Sequence, residues 1–142
     1  MFRQLSETVF ASPQIGLAEI AAAKAQGIAL IVNNRPEDES EDQVPGAEIA
    51  AAAEAAGIAY RAIPVGHAGF SEPQVAAMAE ALAEAQGPVL AYCRSGTRST
   101  LLWALAQASQ GADPDALAAA AAAAGYDLAP IRTLLDMVRG QP

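Results

Sequence analysis

The residues best equipped for chemistry sit together in one short stretch, Cys93-Arg94-Ser95-Gly96-Thr97-Arg98-Ser99, which holds the only cysteine of the 142-residue chain. The apolar run Pro88-Val89-Leu90-Ala91-Tyr92 before it, preceded by Gly87, predicts a strand covered on both faces. Leu101-Leu102-Trp103-Ala104-Leu105 after it predicts an amphipathic helix. A loop closing onto a helix N-terminus points backbone N–H groups into a small cup, and the helix dipole adds positive potential there. Gly96 permits a positive φ and leaves room for an oxyanion, while Arg98 can reach back as a planar bidentate donor. Helix N-termini and nearby arginines favour the thiolate of a cysteine, and Ser99 or Thr100 is placed to donate to the sulfur. The expectation is a nucleophile aimed at an anion: Cys93 and Arg98 catalytic, with Arg94, Ser95, Gly96, Thr97 and Ser99 binding the anion. A lone cysteine is more often a small buried hydrophobe. Its position at the end of a strand, where α/β sheets bind ligands, turns the balance towards catalysis.

Other elements must carry this loop. Thr8-Val9-Phe10-Ala11 predicts a strand, and Gly16 to Ala25 a helix stopped by Gly27. The β-branched run Ile28-Ala29-Leu30-Ile31-Val32 predicts a central parallel strand. The polar, acidic segment Asn33 to Asp42 follows it, so Arg35, Glu37, Asp38 and Glu39 fall at the sheet's C-terminal edge. There Arg35 can pair with a carboxylate of its own loop and Asp38 can reach the active site; a solvated surface loop is an equally weighted reading. Pro45 to Ala56 predicts a helix, Ile58 to Val65 a strand ending at Pro64, and Gly66-His67-Ala68-Gly69-Phe70 a flexible loop. Ser71-Glu72-Pro73-Gln74 is a capping-box signature for a helix running to about Ala85. Asp113-Pro114-Asp115 starts a further helix through the alanine-rich tract, and Leu128 to Val138 gives the last one. His67 is the only histidine; it suits a proton donor at the cleft, although a lone loop histidine is more often structural. One His and one Cys far apart make a poor ligand set, so no metal and no cofactor are expected.

Cys93-Arg94-Ser95-Gly96-Thr97-Arg98-Ser99 resembles the active-site loop of cysteine-dependent phosphatases and rhodanese-type sulfurtransferases. Further blocks agree: Gln4-Leu5-Ser6 with Ser12-Pro13-Gln14, Ile31 to Glu39, Ile63-Pro64-Val65 and Gly125-Tyr126-Asp127. Together they resemble the small bacterial domain called beta-lactamase hydrolase-like, phosphatase-like (DUF442), which occurs alone or fused to a metallo-beta-lactamase-type sulfur dioxygenase. The resemblance implies a single α/β domain over residues 1–142 with a mostly parallel sheet flanked by helices, like the dual-specificity phosphatases.

The reaction is left between two chemistries. The tyrosine-phosphatase signature places five residues between Cys and Arg, whereas Cys93 and Arg98 enclose four. Tyr92 stands where that signature has His, and no Asp occurs between Asp42 and Asp113 to act as the upstream general acid. A missing acid costs a factor on the order of 10² to 10⁴ with a poor leaving group. Glu72, His67 or Asp38 can compensate, but none matches the pattern. The shorter cup is the size found in rhodanese-like loops, and sulfane-sulfur transfer from thiosulfate or a persulfide needs no general acid. The sequence thus favours a sulfurtransferase working through a Cys93 persulfide, and the resemblance implies a sulfur dioxygenase of the metallo-beta-lactamase type as a partner. The alternative is a non-standard phosphatase using a phosphocysteine, and a third reading is a non-catalytic anion-binding module.

Net charge −8 argues against nucleic acid or an anionic membrane as partner. A single cysteine excludes an internal disulfide framework and fits a reducing compartment. The opening Met1-Phe2-Arg3-Gln4 carries no charged-then-apolar leader, and no run is apolar enough to span a bilayer, so the expected location is the cytoplasm.

Overall fold

The computed structural model describes residues 2–140. The outermost residues of the expected 1–142 span therefore lie outside the described part. Among the described residues five strands form one sheet: β1 (Arg3–Gln4), β2 (Val9–Ser12), β3 (Leu30–Asn33), β4 (Ala59–Ala62) and β5 (Val89–Tyr92). Their order is β1-β2-β5-β3-β4, with β1 antiparallel to β2 and every other pairing parallel. Helices α1 (Leu17–Ala25) and α2 (Gly46–Ala55) supply the core on one face. Helices α3 (Glu72–Glu84), α4 (Thr97–Ser109), α5 (Pro114–Ala123) and α6 (Arg132–Arg139) cover the other. The α/β architecture expected from the sequence is the one observed.

Alternation along the central strands explains the layering. Val89 and Ala91 of β5 join the α4 side, whereas Leu90 and Tyr92 join the α1–α2 side. Each face of a central strand thus meets a helical layer, which is why β3 and β5 are buried throughout. Register fixes the site: Ser12 of β2 and Asn33 of β3 both lie opposite Tyr92 of β5. The residues that follow these three leave the sheet together around Cys93.

Three elements differ from their sequence expectation. Helix α4 is not amphipathic, because residues Ser99 to Ala106 and Ala108 are all buried. It packs on β2 and β5 and is covered by α3, α5 and α6, so no face of its middle is left to solvent. Strand β4 stops at Ala62, although Ile63 and Val65 still donate N–H bonds to Asn33 and Asn34. The last helix begins as a short 3₁₀ turn over Ala129–Ile131, where Pro130 sits at its start, and becomes α-helical at Arg132. Among the described residues no helix is long and apolar enough to cross a membrane. Among the same residues no cluster of His, Cys, Asp and Glu gathers that could hold a metal ion.

Candidate active site

Strand β5 ends at Tyr92, and Cys93 is fully buried at the foot of the loop that follows. The turn is completed by Gly96 at φ +93°, a left-handed conformation that favours glycine, and α4 begins at Thr97. This tight return brings the Gly96 N–H within 3.1 Å of Cys93 Sγ, to which it donates. The Cys93 N–H is bound by the Ser12 carbonyl at 3.3 Å, and the Arg94 carbonyl accepts from Gln14 N–H at 3.2 Å. Segment 12–14 therefore forms one wall of the loop. Thr97 N–H donates to Ser95 Oγ, whose own proton goes to Thr97 Oγ1. Among the described residues the N–H groups of Arg94, Ser95, Arg98 and Ser99 meet no protein acceptor. They are the donors that a loop and helix N-terminus offer to an anion.

Arg98 is aimed by Glu39. Its Nη1 and Nη2 donate to the two Glu39 oxygens at 2.7 and 2.8 Å, and Nη1 also donates to the Val65 carbonyl at 2.7 Å. The end-on edge of the guanidinium is thereby taken. The side-on edge, Nε–H with the second Nη2–H, has no protein acceptor among the described residues and matches the two oxygens of a phosphate or sulfate. Glu39 in turn accepts from Arg35 Nε at 2.9 Å. Arg35, only 4% exposed, also donates from Nη1 to Gln14 Oε1 and from Nη2 to Ser40 Oγ. Between two guanidinium groups, with Arg98 the larger influence, the Glu39 carboxyl falls to a pKa of about 2. Arg98 is held above its ordinary value by Glu39 first, and Cys93 adds to the effect.

The predicted residues divide around this centre. Gly96 meets Cys93 directly and Arg98 lies close enough to feel its sulfur, while Arg94, Ser95 and Thr97 are exposed on the same loop. Ser99 is fully buried, and its hydroxyl donates to Asn34 Oδ1 at 2.8 Å rather than to the sulfur. Thr100 Oγ1 donates to the Gly96 carbonyl at 2.9 Å, so it too turns away from Cys93. The first turn of α4 points both side chains into the molecule. The pairing of Arg35 with a carboxylate of its own loop is present, as expected. Asp38 adopts φ +62°, tolerable for an aspartate, in an acidic bend around a cavity of about 460 Å³. Among the described residues it makes no hydrogen bond to the Cys93 loop. His67 lies exposed two positions beyond Val65, whose carbonyl touches Arg98. Glu72, the first residue of α3, is exposed and borders a different concavity.

That second concavity, about 1170 Å³, runs between α3 and α6 past Val75, Leu82, Leu134 and Met137. It opens at the start of β2 and β5, the opposite sheet edge from Cys93. Size does not make it the reactive site; the thiol and the arginines lie at the other end of the strands. Sequence reasoning placed Glu39 at this edge without giving it a role, and assigned none to Gln14, Asn34 or Tyr126. The acidic segment after β3 hinted at Glu39, but its partner is 59 positions away in sequence.

Comparison with known proteins agrees with this geometry. Residues 1–110 match the family model described as the phosphatase-like domain of beta-lactamase hydrolase-like protein. A beta-lactamase hydrolase-like protein of Agrobacterium fabrum is 35% identical over 108 residues, covering 76% of this chain and 25% of that protein. The chain thus spans about a quarter of the length of that relative. A candidate phosphatase of Neisseria meningitidis superposes with TM-score 0.85 at 36% identity, over 96% of this chain and 97% of that one. The catalytic domain of the PP-IP phosphatase SIW14 of S. cerevisiae, bound to citrate, gives TM-score 0.72 over 96% of this chain and 83% of that one. At 14% identity it shares the fold alone. With sequence match and backbone in agreement, the chain belongs to the phosphatase-like domain family of the beta-lactamase hydrolase-like proteins.

Proposed function

We propose that this chain is a cysteine-dependent phosphatase acting on a small phosphomonoester. The observation that carries the reading is the pairing of Cys93 Sγ, held under the Gly96 N–H, with an Arg98 whose side-on edge is left for an anion. The sulfur attacks phosphorus: an S–P bond forms, the P–O bond to the leaving group breaks, and the departing oxygen takes up a proton. Water then attacks the phosphocysteine, returning the thiolate and inorganic phosphate. The loop N–H groups and Arg98 stabilise the charge on the equatorial oxygens, in an arrangement already set before substrate arrives. The likeness to a candidate phosphatase at 36% identity supports this reaction over sulfur transfer, which the sequence alone favoured. We take residues 1–142 as one catalytic unit, at home in a reducing compartment such as the cytoplasm.

One observation keeps sulfur transfer as the second reading. The loop has four residues between Cys93 and Arg98, and no Asp occurs between Asp42 and Asp113, where the phosphatase signature has its general acid. The sulfur dioxygenase partner belongs to this reading only. His67, Asp38 and Glu72 are our candidates for the proton donor, with His67 preferred because its loop starts at the Arg98 contact.

The deciding assay is turnover of para-nitrophenyl phosphate by the wild type and by Cys93→Ser. The phosphatase reading expects activity that the serine variant abolishes while inorganic phosphate still binds. Thiosulfate-to-cyanide transfer, with one extra sulfur on Cys93 by mass spectrometry, would install the second reading instead. Phosphate binding with neither activity would leave an anion-binding module.

A further inference from the structure

Tyr126 lies beyond residues 1–110, the part that the family model matches, yet it reaches the reactive loop. Its hydroxyl donates to the Ser95 carbonyl at 3.2 Å. That carbonyl and the Gly96 N–H belong to the same peptide unit, and the N–H donates to Cys93 Sγ at 3.1 Å. A peptide is planar, so fixing the direction of its oxygen fixes the direction of its hydrogen. The phenol holds one end of this plate and the sulfur receives the other. A hydrogen bond accepted at a carbonyl also polarises the amide and strengthens its N–H as a donor.

The fit is specific to these two residues. A Cβ on Gly96 would overlap the Tyr126 hydroxyl, so glycine at this position makes the phenol's approach possible as well as the turn. The ring is 8% exposed and is held from its far side by Arg3, whose guanidinium lies 5.2 Å from the ring centroid. Arg3 Nη1 also donates to the Ala124 carbonyl at 3.2 Å, and Tyr126 N–H to Ala121 at 2.9 Å. The hydroxyl therefore sits at the end of a buttress running from β1 and the end of α5.

We propose that Tyr126 is a positioning residue, whose hydroxyl orients the Ser95–Gly96 peptide so that its N–H is kept on the Cys93 sulfur. It touches no substrate. The inference rests on Cys93 being the nucleophile of the proposed reaction, but not on which reaction follows.

The test is Tyr126→Phe, which keeps the ring and its contact with Arg3 and removes the oxygen alone. The rate of alkylation of Cys93 by iodoacetamide is followed across pH, together with the melting temperature. The expected result is alkylation about threefold slower on the acidic limb, an unchanged plateau at high pH, and a matching shift in the acidic limb of kcat/KM. Arg3→Leu, which keeps the hydroxyl but removes the guanidinium that holds the ring, should lower the melting temperature and shift the acidic limb in the same direction by no more than Tyr126→Phe does. An unshifted profile in Tyr126→Phe, with or without lost stability, overturns the proposal. Should that variant not fold, 3-fluorotyrosine placed at 126 alone is a stronger donor and should move the acidic limb to lower pH; no movement overturns the proposal equally. If the wild type turns over no phosphoester while the profile still shifts, the reaction assigned above fails and the positioning role stands.

Discussion

Glu39 decides what Arg98 can do. Left alone, the guanidinium would present five N–H donors in any rotamer; bound end-on by Glu39 and Val65, it presents one edge. Glu39→Gln weakens that grip, because a charge-assisted pair becomes an ordinary hydrogen bond and Arg35 loses its counter-charge as well. We expect kcat/KM on an aryl phosphate to fall about 10- to 100-fold, on the scale of one charged hydrogen bond. The same carboxyl sets an acid limit. Its folded pKa of about 2 lies below the ordinary value of 4.5, so its contribution to stability is complete above that ordinary value. The contribution is lost as pH falls from there towards about 2. Melting temperatures of wild type and Glu39→Gln should differ at neutral pH and converge in acid, where a protonated Glu39 resembles glutamine. A gap that stays constant with pH would show that Glu39 is not the ionised partner. A proton donor is a separate matter, since Glu39 stays ionised at working pH. With the donor in place, rates should fall only gently as the leaving group becomes less acidic, and His67→Ala should make that fall steep, depressing alkyl ester turnover while sparing para-nitrophenyl phosphate.

The elements that hold these residues were legible where a local rule governs them. The uninterrupted apolar runs gave β3 and β5, and glycine and proline marked most helix ends. Ser71 and Gln74 form the anticipated capping box, with Gln74 Oε1 accepting from Ser71 N–H at 2.8 Å. What local rules could not supply was burial from a third direction. Leu101 to Leu105 reads as part of an amphipathic helix, but α4 is sandwiched between the sheet and three helices. Burial on all sides also sends the Ser99 hydroxyl to Asn34, across 65 positions of sequence, where an anion-facing role was expected. Gln74 adds a link that the capping signature does not contain: its Nε2 donates to the Pro64 carbonyl at 3.0 Å, strapping the loop that carries His67. Gln74→Ala should cost roughly 1 kcal/mol in chemical denaturation, the usual value of a cap interaction. A cost near zero would mean that neither the cap nor the strap bears on stability.

For the whole molecule, charge and site pull in opposite directions. The cup is lined by arginines, yet the chain carries a net charge of −8, and Glu37, Asp38, Glu41 and Asp42 crowd the loop beside it. The net charge and the acidic run around Arg35 are legible in the sequence, but the approach of Asp42 to Arg94 emerges only when the loop after β3 folds against the Cys93 loop. A dianionic phosphoester must approach through this mean repulsion before it meets the local attraction. Between about 10 and 150 mM salt the screening length contracts to about 8 Å, which mutes the distant carboxylates more than the arginines in contact with the substrate. The rate on para-nitrophenyl phosphate at sub-saturating concentration should therefore rise, about two- to threefold, as salt is added over that range. Neutralising the exposed rim with Glu41→Gln and Asp42→Asn should raise the low-salt rate and flatten the dependence. A rate that falls with salt would mean that the arginines set the field along the whole approach. The acidic surface would then have no part in selecting the substrate.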